Sequence, residues 1–378
     1  MNTPLSGQNE SVSRPGDAGP ARPELKKAME EIVETGFLGV SLRVRDRRGE
    51  WVGSVGRAEL DGTDAPPVDG YTRIGSTTKT FAAALVLRTV AEGRIGLDTR
   101  AADHLPGFDL DERITVRMLL QHTSGVFNFT GEYDEDGTLL PGITTPYGTS
   151  TEEWLESQRE STRPEELVRL ALSKPTMFEP GEKWGYANTN YVLARLLVEN
   201  VTGRSFPEEM QRQILGPLGL TRTILPEDSP EIPAPHAHGY FRYEKDGEQK
   251  TVDITRQNPS WLSTGGDMIS STEDLAVFIT ALVGGHIVPP ELLEEMYTPV
   301  STGIPSMDYG LGVFVQKTEG GATIINHNGG VPGYAAMMSA SPDGDTVMTA
   351  AVNYVDDPEI TMAVQGQEAY QKLVKAVF

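Results

Sequence analysis

Apolar positions follow two periods along this chain, and the two are segregated. In "ELKKAMEEIVETG" Leu25, Met29 and Ile32 fall on one helical face and Gly36 supplies a stop. "GVSLRVRDRRGEWVGSVGRA" alternates Val40, Leu42 and Val44, turns at Gly49 and resumes, which predicts a hairpin. Phe81 to Val90 returns to the helical period and Gly93 closes it. From residue 98 to about 250 helix and loop dominate. The clearest helices are "ITVRMLLQHTSG" and "NYVLARLLVENVTG", the latter with a stripe of Tyr191, Ala194, Leu197, Val198 and Val201 ahead of Gly203. "SSTEDLAVFITALVGG" predicts a further helix, with Ser270 and Glu273 at capping-box spacing. Strands then take over in "YGLGVFVQ", "TIINHNGG", "YAAMMSA" and "TVMTAAVNY", with "PDGD" as a hairpin turn, and a last helix begins near Pro358. Strands near both ends and helices between predict one α/β domain (residues 23–97 and 251–378) interrupted by a mostly helical insertion (98–250). Residues 1–22, rich in Ser, Gly and Pro, read as a disordered tail.

Composition narrows the function. The chain of 378 residues carries 54 acidic against 32 basic side chains, a formal charge of −22. Phosphate binding needs a basic patch, so a nucleic-acid partner is not expected, and neither is an anionic membrane surface. Cysteine is absent, which excludes thiol nucleophiles, disulfides and thiolate metal sites. The first thirty residues lack the apolar run of a secretory signal, and no stretch of eighteen apolar residues occurs. A cytoplasmic location is the resulting expectation. No cofactor and no metal are called for.

The chemistry concentrates in three short stretches. In "YTRIGSTTKTFAAALVLRTVAEGRIGLDT" Ser76 stands three residues before Lys79, so the two share a face if the serine opens the helix. A helix start also exposes backbone N–H groups suited to an oxyanion, and burial lowers the pKa of an amine enough to make it a base. "WGYANTNYVL" holds Tyr186 and Asn188 just before a helix. "IINHNGGVPGY" holds His327, Asn328, Gly329 and Gly330 on an apolar strand, where glycines let a substrate backbone approach.

In order and spacing, S-x-x-K, Y-x-N and H-x-G resemble the motifs of the serine β-lactamase and penicillin-binding superfamily, in its class C and D-alanyl-D-alanine carboxypeptidase branch. The likeness extends colinearly through "ITVRMLLQHTSG", "EPGEKWGYANTNYVLARLLVENVTG", "STGGDMISSTEDLAVF" and "HNGGVPGY". It implies an antiparallel sheet flanked by helices plus the helical insertion. It implies Ser76 as nucleophile, Lys79 and Tyr186 as the proton-transfer pair with the base undecided, and a phenol biased toward phenolate by the ammonium beside it. Asn188 would bond Lys79 and the substrate amide, the N–H groups of Ser76 and Gly330 would bind the oxyanion, and Trp261 would line the cleft.

Other histidines read as structural. His122 fits the framework. His236 and His238 are spaced for metal but lack a third ligand, and His327 shapes a strand rather than acting as base. The acidic "GEYDEDG" reads as a solvated loop face or part of the cleft rim. Ser54 lacks the glycine of a G-x-S-x-G elbow. Carboxypeptidases of the branch hold a terminal carboxylate with an arginine where this chain has Val313 and Phe314, and with threonines where it has Asn328 and Gly330. A carboxylate without a cation is costly to bury. The sequence therefore predicts an intracellular acyl-enzyme catalyst acting on a small-molecule ester or amide, with water or an amine as acceptor. An amide-forming transacylase of antibiotic or secondary-metabolite biosynthesis is one form of this. The alternatives are a DD-carboxypeptidase, a D-aminopeptidase, a weak β-lactamase, or a non-catalytic binding protein.

Overall fold

The helix Thr78–Ala91 is apolar on almost every side, and Phe81 to Leu87 are buried without a break. A helix of that kind must be surrounded. In the computed structural model, which describes residues 21–133, 136–147 and 150–378, it runs through the centre of the larger core. Around it pack the helices Thr189–Thr202 and Thr272–Val283 and one face of an eight-stranded sheet.

All neighbouring strands of that sheet are antiparallel. Their spatial order is Gly49–Gly56, Gly39–Asp46, Val347–Asn353, Tyr334–Ala340, Thr323–Val331, Phe314–Lys317, Met307–Tyr309 and Val300–Ile304. Alternation along each strand feeds two cores. Ile325, Ala336 and Met338 face the central helix, whereas Val40, Leu42, Val44, Met337 and Ala350 face the helices Pro23–Glu34 and Thr361–Val377. The predicted hairpin pairs Val40 with Val55 and Val44 with Trp51. The architecture is the mixed α/β sheet-and-helix arrangement that the sequence predicts.

Several details depart from expectation. Arg22, placed in the tail, is buried and bonds Asp46 at 3.0 Å; the rest of that tail up to residue 20 lies outside the described residues. Helix Thr272–Val283 is capped by Ser271, whose Oγ accepts from the Asp274 N–H at 3.1 Å. Ser270 is unavailable because it belongs to a two-residue strand and shares a 2.8 Å hydrogen bond with Thr223 Oγ1. "YGLGVFVQ" is two strands rather than one. Gly310 N bonds Val313 O in the turn between them, and Gly312 comes so close to the central helix that a Cβ there would meet the Cβ of Ala83 at 2.3 Å. The stretch read as helix and loop also contains a hairpin, Tyr240–Lys245 with Glu248–Asp253. Its turn residues Asp246 and Gly247 both have positive φ, the two-residue geometry that Asp-Gly favours.

Candidate active site

Gly75–Thr77 forms one tight turn that runs into the helix Thr78–Ala91, so Ser76 stands at the helix mouth and Lys79 one turn in. Gly75 has φ +48°, and a Cβ on it would sit 2.6 Å from the Gly330 nitrogen. A Cβ on Gly329 would sit 2.0 Å from the Ile74 carbonyl oxygen and 2.6 Å from the Ser76 nitrogen. The glycine of H-x-G therefore makes room for the serine turn of its own chain, which differs from the expected approach of a substrate. Gly330 has open space and lines the cleft.

Lys79 is wholly buried. Its Nζ lies 3.0 Å from Ser76 Oγ, 2.7 Å from Asn188 Oδ1 and 2.6 Å from the Gly265 carbonyl. Burial pushes this amine well below the usual lysine range, and the Asp267 carboxylate opposes that only in part. A neutral amine has two hydrogens and one lone pair. Two carbonyl oxygens can only accept, so they take the hydrogens, and the lone pair is left facing the serine hydroxyl. That geometry can remove the serine's proton.

Tyr186 completes the group. Its ring lies 4.7 Å from Lys79 Nζ, and its phenol shares a hydrogen bond with Ser76. Burial pushes the phenol up despite its hydrogen bond with Ser76, which runs against the expected bias toward phenolate. His122, fully buried and at φ +61°, packs its ring 4.3 Å from that of Tyr186. Its Nδ1 accepts from the Ala187 N–H at 3.2 Å and faces Asn190 Nδ2 at 3.0 Å. An acceptor Nδ1 fixes the neutral tautomer, and burial lowers the His122 pKa far below the ordinary value.

His327 is likewise neutral. Nδ1 faces the Asn328 carbonyl at 2.8 Å, Nε2 faces the Tyr309 hydroxyl at 3.1 Å, and burial pushes its pKa down to about 3. Its bonds tie the strand Thr323–Val331 to Tyr309. His238 bonds Asp253 at 2.7 Å and His236 faces the Pro233 carbonyl at 2.9 Å. Among the described residues no three metal-ligating side chains converge.

Ser76, Asn188, Trp261 and Gly330 share a cleft of about 450 Å³. Asn328 and Gly329 do not line it; they border a second cavity behind the strand. The sequence reading missed Thr130, Thr145, Tyr147 and Ile360 on the cleft wall. Part of the acidic loop forms the rim, through Gly131, Tyr133 and Leu139. Glu132 is half-buried, and burial raises its carboxyl to about 7; Asp134 and Glu135 lie outside the described residues. Val313 is buried in the core, and Phe314 packs edge-on against Tyr309 at 4.6 Å. Among the described residues lining the cleft, the charged side chain is Glu359.

Comparison with known proteins agrees with this geometry. The Beta-lactamase family model matches residues 25–370. Penicillin-binding protein 4* of Bacillus subtilis is 26% identical over 82% of this chain and 67% of its own length. A D-stereospecific amidohydrolase from Streptomyces superposes with a TM-score of 0.81 at 32% identity, covering 95% of this chain and 99% of that one. The D-amino acid amidase from Ochrobactrum anthropi, complexed with L-phenylalanine amide, gives a TM-score of 0.77 at 23% identity, over 94% and 97% of the two chains, and shares the fold. The chain thus belongs to the beta-lactamase family and is a serine hydrolase or acyltransferase of that family.

Proposed function

We propose that this protein cleaves a small-molecule amide or ester that lacks a free carboxylate at the scissile end, through an acyl-enzyme on Ser76. The carrying observation is the Lys79 amine, held by two carbonyls with its remaining position on Ser76 Oγ. Lys79 takes the serine proton as Oγ attacks the carbonyl carbon. Tyr186 relays a proton to the departing amine or alcohol, Asn188 orients the substrate amide, and the N–H groups of Ser76 and Gly330 receive the oxyanion. Water then attacks the acyl carbon by the reverse route and frees the serine.

Two features shape the substrate. Val313 and Phe314 supply no cation for a carboxylate, and the charge at the cleft is acidic. The amidohydrolase likeness at 32% identity favours a D-configured amino-acid amide as donor. An amine that reaches the acyl carbon ahead of water would give transfer, as in biosynthetic amide formation.

The test combines labelling with turnover. A fluorophosphonate adds one adduct by intact mass, and Ser76→Ala abolishes it. D-phenylalanine amide is hydrolysed faster than its L-enantiomer, and added amines divert product from acid to amide. An adduct that persists in Ser76→Ala, or none in the native protein, would leave only a ligand-binding role.

A further inference from the structure

Behind the strand Thr323–Val331 lies a second cavity of about 430 Å³, roofed by the terminal helix Thr361–Val377. The cavity and the cleft share Tyr147, Gly330 and Ile360 as walls, so the two spaces adjoin at a strand residue that packs against Gly75, next to Ser76. The chamber is mainly apolar, with Phe37, Met337 and Met362 among its walls. Its carboxylate, Asp356, is already engaged by the Tyr147 hydroxyl at 2.6 Å. The Asn328 side-chain oxygen is buried there with no hydrogen-bond partner among the described residues. A space of several hundred cubic ångströms, apolar with a few polar groups, has the character of a ligand site.

The surface gives an independent sign. Five large apolar side chains stand exposed among the described residues, and three of them, Tyr133, Leu139 and Ile360, line the cleft. Ile360 is 42% exposed and also sits at φ +56°, an unfavourable backbone for a β-branched residue, at the lip between the two spaces. Apolar surface left open is a cost that an apolar guest would offset, and strained backbone of this kind clusters at ligand-binding sites.

We propose that this chamber is a subsite for a large apolar substituent of the substrate, admitted past Tyr147 and Ile360 while the scissile carbonyl lies at Ser76. The inference rests on the acyl-enzyme reading and specifies its substrate class: esters or amides bearing a long aliphatic or aromatic group. The Asn328 oxygen accepts a hydrogen bond from any N–H or O–H on that substituent.

Gly366 provides the test, because a Cβ there meets only the Phe37 ring at an ordinary 3.8 Å. Gly366→Leu therefore fills the chamber from a helix position where leucine is favoured over glycine. With p-nitrophenyl esters from acetate to octanoate, kcat/KM rises at least tenfold with chain length in the native protein. Gly366→Leu lowers the octanoate value at least fivefold more than the acetate value. Acetate esters of ethanol to octanol form the second arm. A chain-length effect in the first series places the acyl half in the chamber, and one in the second places the leaving half. Binding of the neutral probe N-phenyl-1-naphthylamine, read by fluorescence, needs no turnover. Gly366→Leu weakens it at least fivefold and Ser76→Ala leaves it intact. Flat profiles in both series, or probe binding indifferent to Gly366→Leu, overturn the chamber. Loss of turnover with probe binding preserved overturns the acyl-enzyme reading instead.

Discussion

At the scale of single residues, desolvation is the leading influence on the titratable groups of the site. Among the described residues no carboxylate contacts Lys79, and burial pushes its amine well below the usual lysine range, whereas an exposed lysine stays charged until about pH 10. With Lys79 as the proposed base, kcat/KM is expected to climb with pH as the amine loses its proton and to reach its plateau well below pH 10. The histidines at the site contribute nothing to this limb, since both are buried and neutral. His122→Asn, whose side-chain oxygen can accept where Nδ1 did, is expected to keep the limb in place. A pH–rate profile that loses its acid limb in His122→Asn would make the histidine the base. The serine and lysine were legible in the sequence because three residues of spacing define a helical face. The depression of the amine was legible too, from the apolar helix it enters, whereas the raised phenol and the two carbonyls that hold the amine were not, because they depend on Asn188 and Gly265, far away in sequence.

At the scale of elements, the decisive contact is backbone against backbone. The Gly75–Thr77 turn and the strand Thr323–Val331 approach so closely that two glycines are needed, one on each side. Gly329→Ala has to push the strand off the turn, at a cost of about 1–3 kcal/mol, seen as a lowered thermal midpoint and slower fluorophosphonate labelling. Gly330→Ala, with open space at its Cβ, leaves the midpoint near that of the native protein. Equal losses in the two variants would show that the close approach is absent. The pattern of apolar positions revealed the helices and most strands because their periods differ. It failed where an element is too short to show a period, as at Ile269–Ser270, which displaced the cap to Ser271. It also passed over Tyr240–Lys245 and Glu248–Asp253, whose outward faces are polar, although the Asp-Gly pair between them was a usable signal. The acidic loop was a candidate for the rim, but Thr130, Thr145, Tyr147 and Ile360 on the cleft wall were hidden, because no local rule says which segments will lie across a cleft.

At the scale of the whole molecule, charge and topology matter most. A net charge of −22 concentrates cations near the surface. An amino-acid amide carrying an ammonium should therefore lose kcat/KM as salt rises from 10 to 500 mM, while a neutral ester holds steady. Parallel losses for both substrates would rule out steering. The topology has its own consequence. Val40 pairs with Val352, more than three hundred residues further along the chain. During synthesis at ~5–20 residues per second, the first hairpin waits on the order of 15–60 s for the strand that will flank it. For that interval a ribosome-borne intermediate can cover Val40, Leu42 and Val44 only with the helix Pro23–Glu34, and it lacks the helix Thr361–Val377 that completes this layer, which makes the nascent polypeptide a client for chaperones long before it has a cleft to fill.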